Sequence, residues 1–154
     1  MSHIVARNAE LSKLQNLLNS PKAEFIALYG RRRVGKTFLI RQFFQNKGIY
    51  FEVTGIKNSP TSMQLRKFHD VFIHTFSIKN LALPKDWHEA LLHLKNVLVQ
   101  IPKKQKIILF FDELPWLAKP KSKLLQEIDY YWNRYFSSQE IGRASCRERV
   151  CQYV

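Results

Sequence analysis

Gly30-Arg31-Arg32-Arg33-Val34-Gly35-Lys36-Thr37 is the stretch of this 154-residue chain best equipped for chemistry. It satisfies G-x-x-x-x-G-K-[ST] at every fixed position, a spacing in which glycines let the backbone curl with its N–H groups inward around a polyphosphate. A helix starting where the loop ends aims its positive pole at the same oxygens. Lys36 adds a point charge that reaches the β- and γ-phosphates, and the Thr37 hydroxyl is placed to ligate a bridging Mg2+. The competing reading is a chance glycine turn with a solvated lysine, and the flanks argue against it. The apolar run Phe25-Ile26-Ala27-Leu28-Tyr29 precedes the loop as a buried parallel strand would, and Phe38, Leu39 and Phe43 follow at helical spacing.

A second reactive stretch is Lys106 to Leu117, KIILFFDELPWL. Ile107 to Phe111 is continuously apolar, as expected of a strand buried on both faces, and it ends in Asp112-Glu113. Strand ends in open α/β sheets are where ligands bind. Asp112 beside a phosphate loop holds Mg2+ through its hydration shell, and Glu113 polarises a water for in-line attack on a γ-phosphate. The alternative is a pair of solvated acids in a turn.

The elements that must position these residues are legible from periodicity. Leu11, Leu14, Leu17 and Leu18 mark one helix face, with Asn8 as its cap, and Asn19-Ser20-Pro21 stops it. After the loop helix, Asn46-Lys47-Gly48 reads as a left-handed helix stop, and Ile49 to Thr54 as a second strand. Ser59-Pro60 opens a helix striped by Leu65, Phe68, Phe72 and Phe76. Asp86 with Glu89 forms a capping box for another, whose inner face is Trp87, Ala90, Leu91, Leu94 and Leu98. Lys123 to Phe136 makes a last helix on Leu124, Ile128, Trp132 and Phe136. Helices alternating with strands favour a parallel sheet with helices on its faces. His69, His74, His88 and His93 share neither i, i+4 ligand spacing within one helix nor a cysteine or carboxylate cluster, so they read as ordinary surface or partly buried histidines.

Hydrophobic residues make up 45% of the chain, yet no apolar stretch approaches the roughly eighteen residues of a membrane span. The N-terminus lacks the layout of a signal peptide, so a cytoplasmic protein without a membrane partner is expected. Ile141 to Cys151, IGRASCRERVC, resembles the conceptual translation of a short-read sequencing adapter, and residues 141–154 are read as a non-native tail behind a domain of residues 1–140. Both cysteines, Cys146 and Cys151, fall in that tail and carry no redox information. Setting aside its three arginines and one glutamate lowers the formal charge from +13 to +11, still strongly basic. Such a charge suits a nucleic-acid or anionic partner, but the lysines and arginines are scattered and no RNA-binding or helix-turn-helix signature surrounds them.

Together IVARNAEL, FIALYGRRRVGKTFLI, YFEVTG and IILFFDELPWLA resemble the bacterial and archaeal AAA-type P-loop ATPases, over Ile4 to Glu140. These are switch ATPases that insert an extra strand between the phosphate-loop strand and the acidic strand. The resemblance implies an α/β, three-layer P-loop NTPase fold with a parallel sheet, incomplete at the C-terminus. It implies ATP and Mg2+ as ligands, with Ile4, Val5 and Arg7 against the adenine, although Ala6 stands where the family usually has glycine. Gly30, Arg31, Arg32, Arg33, Val34, Gly35, Lys36, Thr37 and Phe38 then line the nucleotide. Thr37 and Asp112 hold the metal, and Lys36 and Glu113 serve catalysis.

The family continues past this point into a central strand with a polar sensor, a further strand, a second sensor and an arginine finger, typically from a neighbouring subunit; none is assigned here, Arg31 to Arg33 included. The expected function is ATP binding with Mg-dependent hydrolysis in the full-length parent. Partners beyond ATP would be nucleic acid, reached through the missing C-terminal region, and further copies of the chain. Two alternatives stand beside it: a basic nucleic-acid-binding module with ATP as a regulatory ligand, and a small-molecule kinase. With the central strand missing, two parallel strands are expected to keep open edges and the chain to be unstable.

Overall fold

A computed structural model describes residues 8–21, 24–28, 35–102, 104–137 and 147–152, with backbone only for 24–28 and 147–152. Four parallel strands form its sheet: β1 (Glu24–Leu28), β2 (Ile49–Thr54), β3 (Ile107–Asp112) and β4 (Arg147–Gln152). Their spatial order is β1-β4-β3-β2. The helices are α1 (Asn8–Leu18), α2 (Lys36–Phe44), α3 (Thr61–Thr75), α4 (Trp87–Gln100), α5 (Leu114–Leu117) and α6 (Leu124–Tyr131), the last running into a π-helical turn, Trp132–Phe136.

Period-two alternation along β3 sorts the core into two layers. Ile108 and Phe110 pack with Leu14 and Leu18 of α1 and with Leu39, Ile40, Phe43 and Phe44 of α2. Ile107, Leu109 and Phe111 point the other way, joining Phe51 and Val53 of β2 beneath α3, α4, α5 and α6. Every β3 residue is buried, as a central strand covered on both faces requires. Helices on each side of a parallel sheet give the three-layer α/β arrangement of a P-loop NTPase. Aromatic contacts fix α3 on β2: the Phe51 ring meets Phe68 edge-on at 5.3 Å and stacks on Phe76 at 5.9 Å, and Phe68 meets Trp87 of α4 at 5.7 Å.

Helix ends follow their local chemistry, with some differences from expectation. The Asp86 carboxylate accepts from the Glu89 amide at 2.8 Å, and the Glu89 carboxylate accepts from the Lys85 amide at 2.8 Å, one residue before the usual capping-box partner. Ser59 does not cap α3, which starts after Pro60. Asn8 is the first residue of α1 itself. After α2 the left-handed residue is Asn46, at φ 63°, while Gly48 is required for another reason. A Cβ on Gly48 would lie 2.6 Å from both the Cβ and the carbonyl oxygen of Lys106, where β2 and β3 begin. Tyr131, at α-helical spacing from Leu124 and Ile128, is buried and Trp132 only half-buried, and the π-helical turn that follows keeps Phe136 buried.

The largest departure concerns the expected gap between β1 and β3. Residues 147–152 fill it as β4, pairing parallel with β1 through Glu24↔Glu148 to Leu28↔Gln152 and with β3 through Ile107↔Arg147 to Phe111↔Cys151. The edges of β1 and β3 that face the gap are therefore paired, and the open-edge expectation does not hold. The physical reason is that α5, α6 and the π-helical turn supply the long crossover a parallel strand needs, and two unpaired backbone edges accept any extended segment of matching length.

Candidate nucleotide site

Parallel pairing brings the C-terminal ends of β2 and β3 level, with Thr54 opposite Asp112. The start of α2 meets them there. Gly35 caps α2 in the left-handed region at φ 76°, a conformation that suits a residue without Cβ. Lys36 and Thr37 open the helix, and Lys36 is buried, with only 9% of its surface exposed. The Thr37 hydroxyl donates to the Asp112 carboxylate, with Oγ1 lying 3.1 Å from Oδ1 and 3.2 Å from Oδ2. Residues 75 positions apart in sequence thus place three hard oxygen donors together.

Asp112 is 4% exposed, and burial pushes its pKa above the ordinary carboxylate range. The Thr37 hydroxyl opposes that shift; the Glu113 and Glu52 carboxylates add to it, and the Glu113 amide, donating to Oδ1 at 3.0 Å, opposes it. A desolvated acid biased toward holding a proton is relieved by a cation in the proton's place. Small hard cations accept one or two carboxylate or hydroxyl oxygens and complete their shell with phosphate and water, so Thr37 and Asp112 fit Mg2+. No group of three or more His, Cys, Asp or Glu side chains able to hold a metal occurs among the described residues.

Glu113 follows directly, at φ 51° and ψ 46°, a left-handed backbone uncommon for a residue with a side chain. Its Oε2 is buried with no hydrogen-bond partner among the described residues, an orphaned acceptor next to the Thr37–Asp112 pair in sequence. Among the described residues Glu113 alone combines a left-handed non-glycine backbone with a buried side-chain atom that has no hydrogen-bond partner.

Of the residues expected from sequence to form the site, Gly35, Lys36, Thr37, Asp112 and Glu113 converge on the same end of the sheet. Phe38 is 48% exposed on the first turn of α2. Ile4, Val5, Arg7, Gly30, Arg31, Arg32, Arg33 and Val34 lie outside the described residues. Three residues that border the site were missed. Gly55 donates its amide to the Asp112 carbonyl at 2.9 Å and abuts the Glu113 carbonyl. Gln64 is wholly buried at the inner face of α3, and a polar residue one turn before Phe68 on that stripe was its available signal. Glu52 accepts from the Arg41 guanidinium at 2.8 Å and from the Tyr50 hydroxyl at 2.9 Å. Of the histidines, His88 pairs with Glu127 at 2.8 Å, His93 lies against the Phe72 ring, and His69 is buried.

Among known proteins, the family described as an ATPase domain predominantly from Archaea matches residues 4–145. A Methanocaldococcus jannaschii protein described as an uncharacterized ATP-binding protein is 56% identical over 45 residues, which are 29% of this chain and 76% of that one. Cdc6p from Pyrobaculum aerophilum has a similar fold, with a TM-score of 0.65 at 17% identity over 99% of this chain. The chain spans about two-fifths of that structure, 40% of its length. No helix among the described residues is long and apolar enough to cross a membrane. With a family match that runs over residues 4–145, the chain belongs to the ATPase domain family found predominantly in Archaea.

Proposed function

We propose that this protein binds ATP with Mg2+ at the C-terminal ends of β1 and β3, and that its full-length parent, a cytoplasmic switch ATPase, hydrolyses it. The observation that carries the reading is the 3.1 Å approach of the Thr37 hydroxyl to the Asp112 carboxylate. Gly30 to Gly35 offer amides to the β- and γ-phosphates, and Lys36 neutralises their charge. Thr37 and Asp112 would hold Mg2+, which draws charge from the γ-phosphate oxygens when bound. The Glu113 carboxylate accepts a proton from the attacking water, a task suited to an acceptor oxygen with no donor among the described residues. Phe38 lies beside the nucleotide at the head of α2, and Ile4, Val5 and Arg7 meet its base.

Residues 141–154 are assigned as a non-native tail, on the adapter-like sequence IGRASCRERVC, and β4 then stands where the natural chain carries its own central strand. Sensors, arginine finger, nucleic-acid contacts and contacts between copies belong to the parent beyond residue 140. The test is steady-state ATP hydrolysis by that parent with Lys36→Ala and Glu113→Gln variants. Loss of nucleotide binding in the first, and loss of turnover with binding retained in the second, are expected. Turnover by Glu113→Gln at the wild-type rate would instead favour transfer to a substrate hydroxyl that needs no water-activating base.

A further inference from the structure

Gln64 sits on the face of α3 that carries Leu65, Phe68 and Phe72, and none of its surface is exposed. A glutamine buried this deeply is kept for its hydrogen bonds, and here they join two distant segments. Its Oε1 accepts from the Ile56 amide at 3.0 Å. Its Nε2 donates to the Ile56 carbonyl at 2.7 Å and to the Trp116 carbonyl at 3.1 Å, so both amide hydrogens are used. Ile56 lies just beyond β2, and Trp116 lies in α5, three residues past Glu113.

Around this clamp the chain is tightly fitted. The Trp116 amide donates to the Glu113 carbonyl at 2.9 Å, and the Gly55 amide to the Asp112 carbonyl at 2.9 Å. A Cβ on Gly55 would come within 2.5 Å of the Glu113 carbonyl oxygen. Glu113 itself holds a left-handed backbone, which persists only where the surroundings over-determine it. The helix bearing Gln64 cannot slide freely, because Phe68 and Phe72 on the same face pack on Phe51 of β2.

We propose that Gln64 is a positioning residue for hydrolysis: its side-chain amide ties the exit of β2 to α5 and so fixes the backbone from which the Glu113 carboxylate projects. This rests on the reading of Glu113 as the base. An apolar residue of similar size would fill the same space but could not bridge two carbonyls and an amide. Gln64 therefore acts on the chemical step through Glu113 and leaves nucleotide binding, which depends on the head of α2, untouched.

The experiment uses the full-length parent with Gln64→Leu and Gln64→Glu, each alone and combined with Glu113→Gln, measuring kcat, the Kd for MgATP and circular dichroism. Gln64→Glu keeps an acceptor for the Ile56 amide but loses both donors. In either single variant kcat is expected to fall about 10- to 100-fold, the scale of a misplaced catalytic group. The Kd should stay within about twofold, and in the Glu113→Gln background the residual turnover should change by less than about twofold, because residues acting as one unit are not additive. Unchanged kcat, an equal loss in both backgrounds, a parallel loss of MgATP affinity, or unfolding of both variants would overturn the proposal. Wild-type turnover by Glu113→Gln alone would overturn the base reading beneath it, and this proposal with it.

Discussion

Replacing Gly55 with alanine tests the geometry around Glu113 with the smallest perturbation available. The added Cβ would lie 2.5 Å from the Glu113 carbonyl oxygen, 2.9 Å from the Trp116 Cβ and 3.0 Å from the Leu117 amide nitrogen. Two of these three are backbone atoms, so no flexible side chain swings away and β2 must part from the turn after β3. Overpacking of this kind costs about 1–3 kcal/mol, and contacts this short lie at the upper end. Gly55 has no positive φ, so alanine meets no strain of its own and gains about 0.4–1 kcal/mol by restricting the unfolded chain. The net loss is about 2 kcal/mol, or a Tm lowered by roughly 4–8 °C in a domain this size.

Gly48→Ala is the matched control at the opposite end of the sheet, where a Cβ meets Lys106 at 2.6 Å and φ is +152°. It should destabilise at least as much. Thermal melts followed by circular dichroism, paired with MgATP turnover by the full-length parent, separate the two. Gly55→Ala lowers both Tm and turnover, whereas Gly48→Ala lowers Tm alone. A Gly55→Ala protein melting within about 1 °C of wild type with normal turnover would refute the reasoning, as would equal losses of turnover in both variants.

Asp112→Asn should raise the Tm of the nucleotide-free protein at neutral pH, since it removes a buried charge, while weakening MgATP binding; a melt and a titration on one sample check both. Because the folded protein holds the Asp112 proton more tightly than the unfolded chain, this residue's contribution to stability falls as pH rises from the ordinary carboxylate value through the raised folded one. The difference in stability between wild type and Asp112→Asn should therefore grow over that window and then level off, and MgATP affinity of the wild type should climb across it. Arg41→Ala, which breaks a pair whose Arg41 side is 54% exposed and whose Glu52 side keeps the Tyr50 hydroxyl as a donor, should cost about 1 kcal/mol in a denaturant melt. Burial pushes the Tyr131 hydroxyl up to about 12, and Tyr131→Phe, which removes its bond to the His88 carbonyl, should cost about 1 kcal/mol and leave ATP affinity unchanged. Deleting residues 141–154 reopens the edges of β1 and β3, and light scattering should report aggregation that the longer chain resists.

Much of this architecture was legible because the patterns are strong and local. The all-apolar run Ile107 to Phe111 could only be a strand covered on both faces, and Asp86 with Glu89 fixed the start of α4. The meeting of Thr37 with Asp112 was legible for a similar reason: the glycine-lysine-threonine spacing and an acidic pair ending a buried strand both pointed to one end of the sheet. What escaped notice depends on contacts between segments. Helical spacing puts Gln64 on the apolar stripe of α3, but its partners at Ile56 and Trp116 appear only once α3 is laid on β2, and Gly55 matters only because the turn after β3 passes so close. The stripe read from sequence stepped from Ile128 to Trp132, whereas the structure buries Tyr131 one α-helical step earlier and a π-helical turn then carries the buried face on to Phe136. Nor does strand propensity reveal that a segment rich in arginine, RERVCQ, would enter the middle of the sheet, because that placement follows from two vacant backbone edges and not from its side chains.

Calorimetric titration of the protein with ATP, with and without Mg2+, tests the central claim most directly. Saturable binding of one nucleotide is expected, strengthened by Mg2+ in the wild type. Lys36→Ala should abolish it, and Asp112→Asn should erase the dependence on Mg2+. Equal ATP affinity in wild type and Lys36→Ala, or an Mg2+ dependence that survives Asp112→Asn, would contradict the assignment of this site.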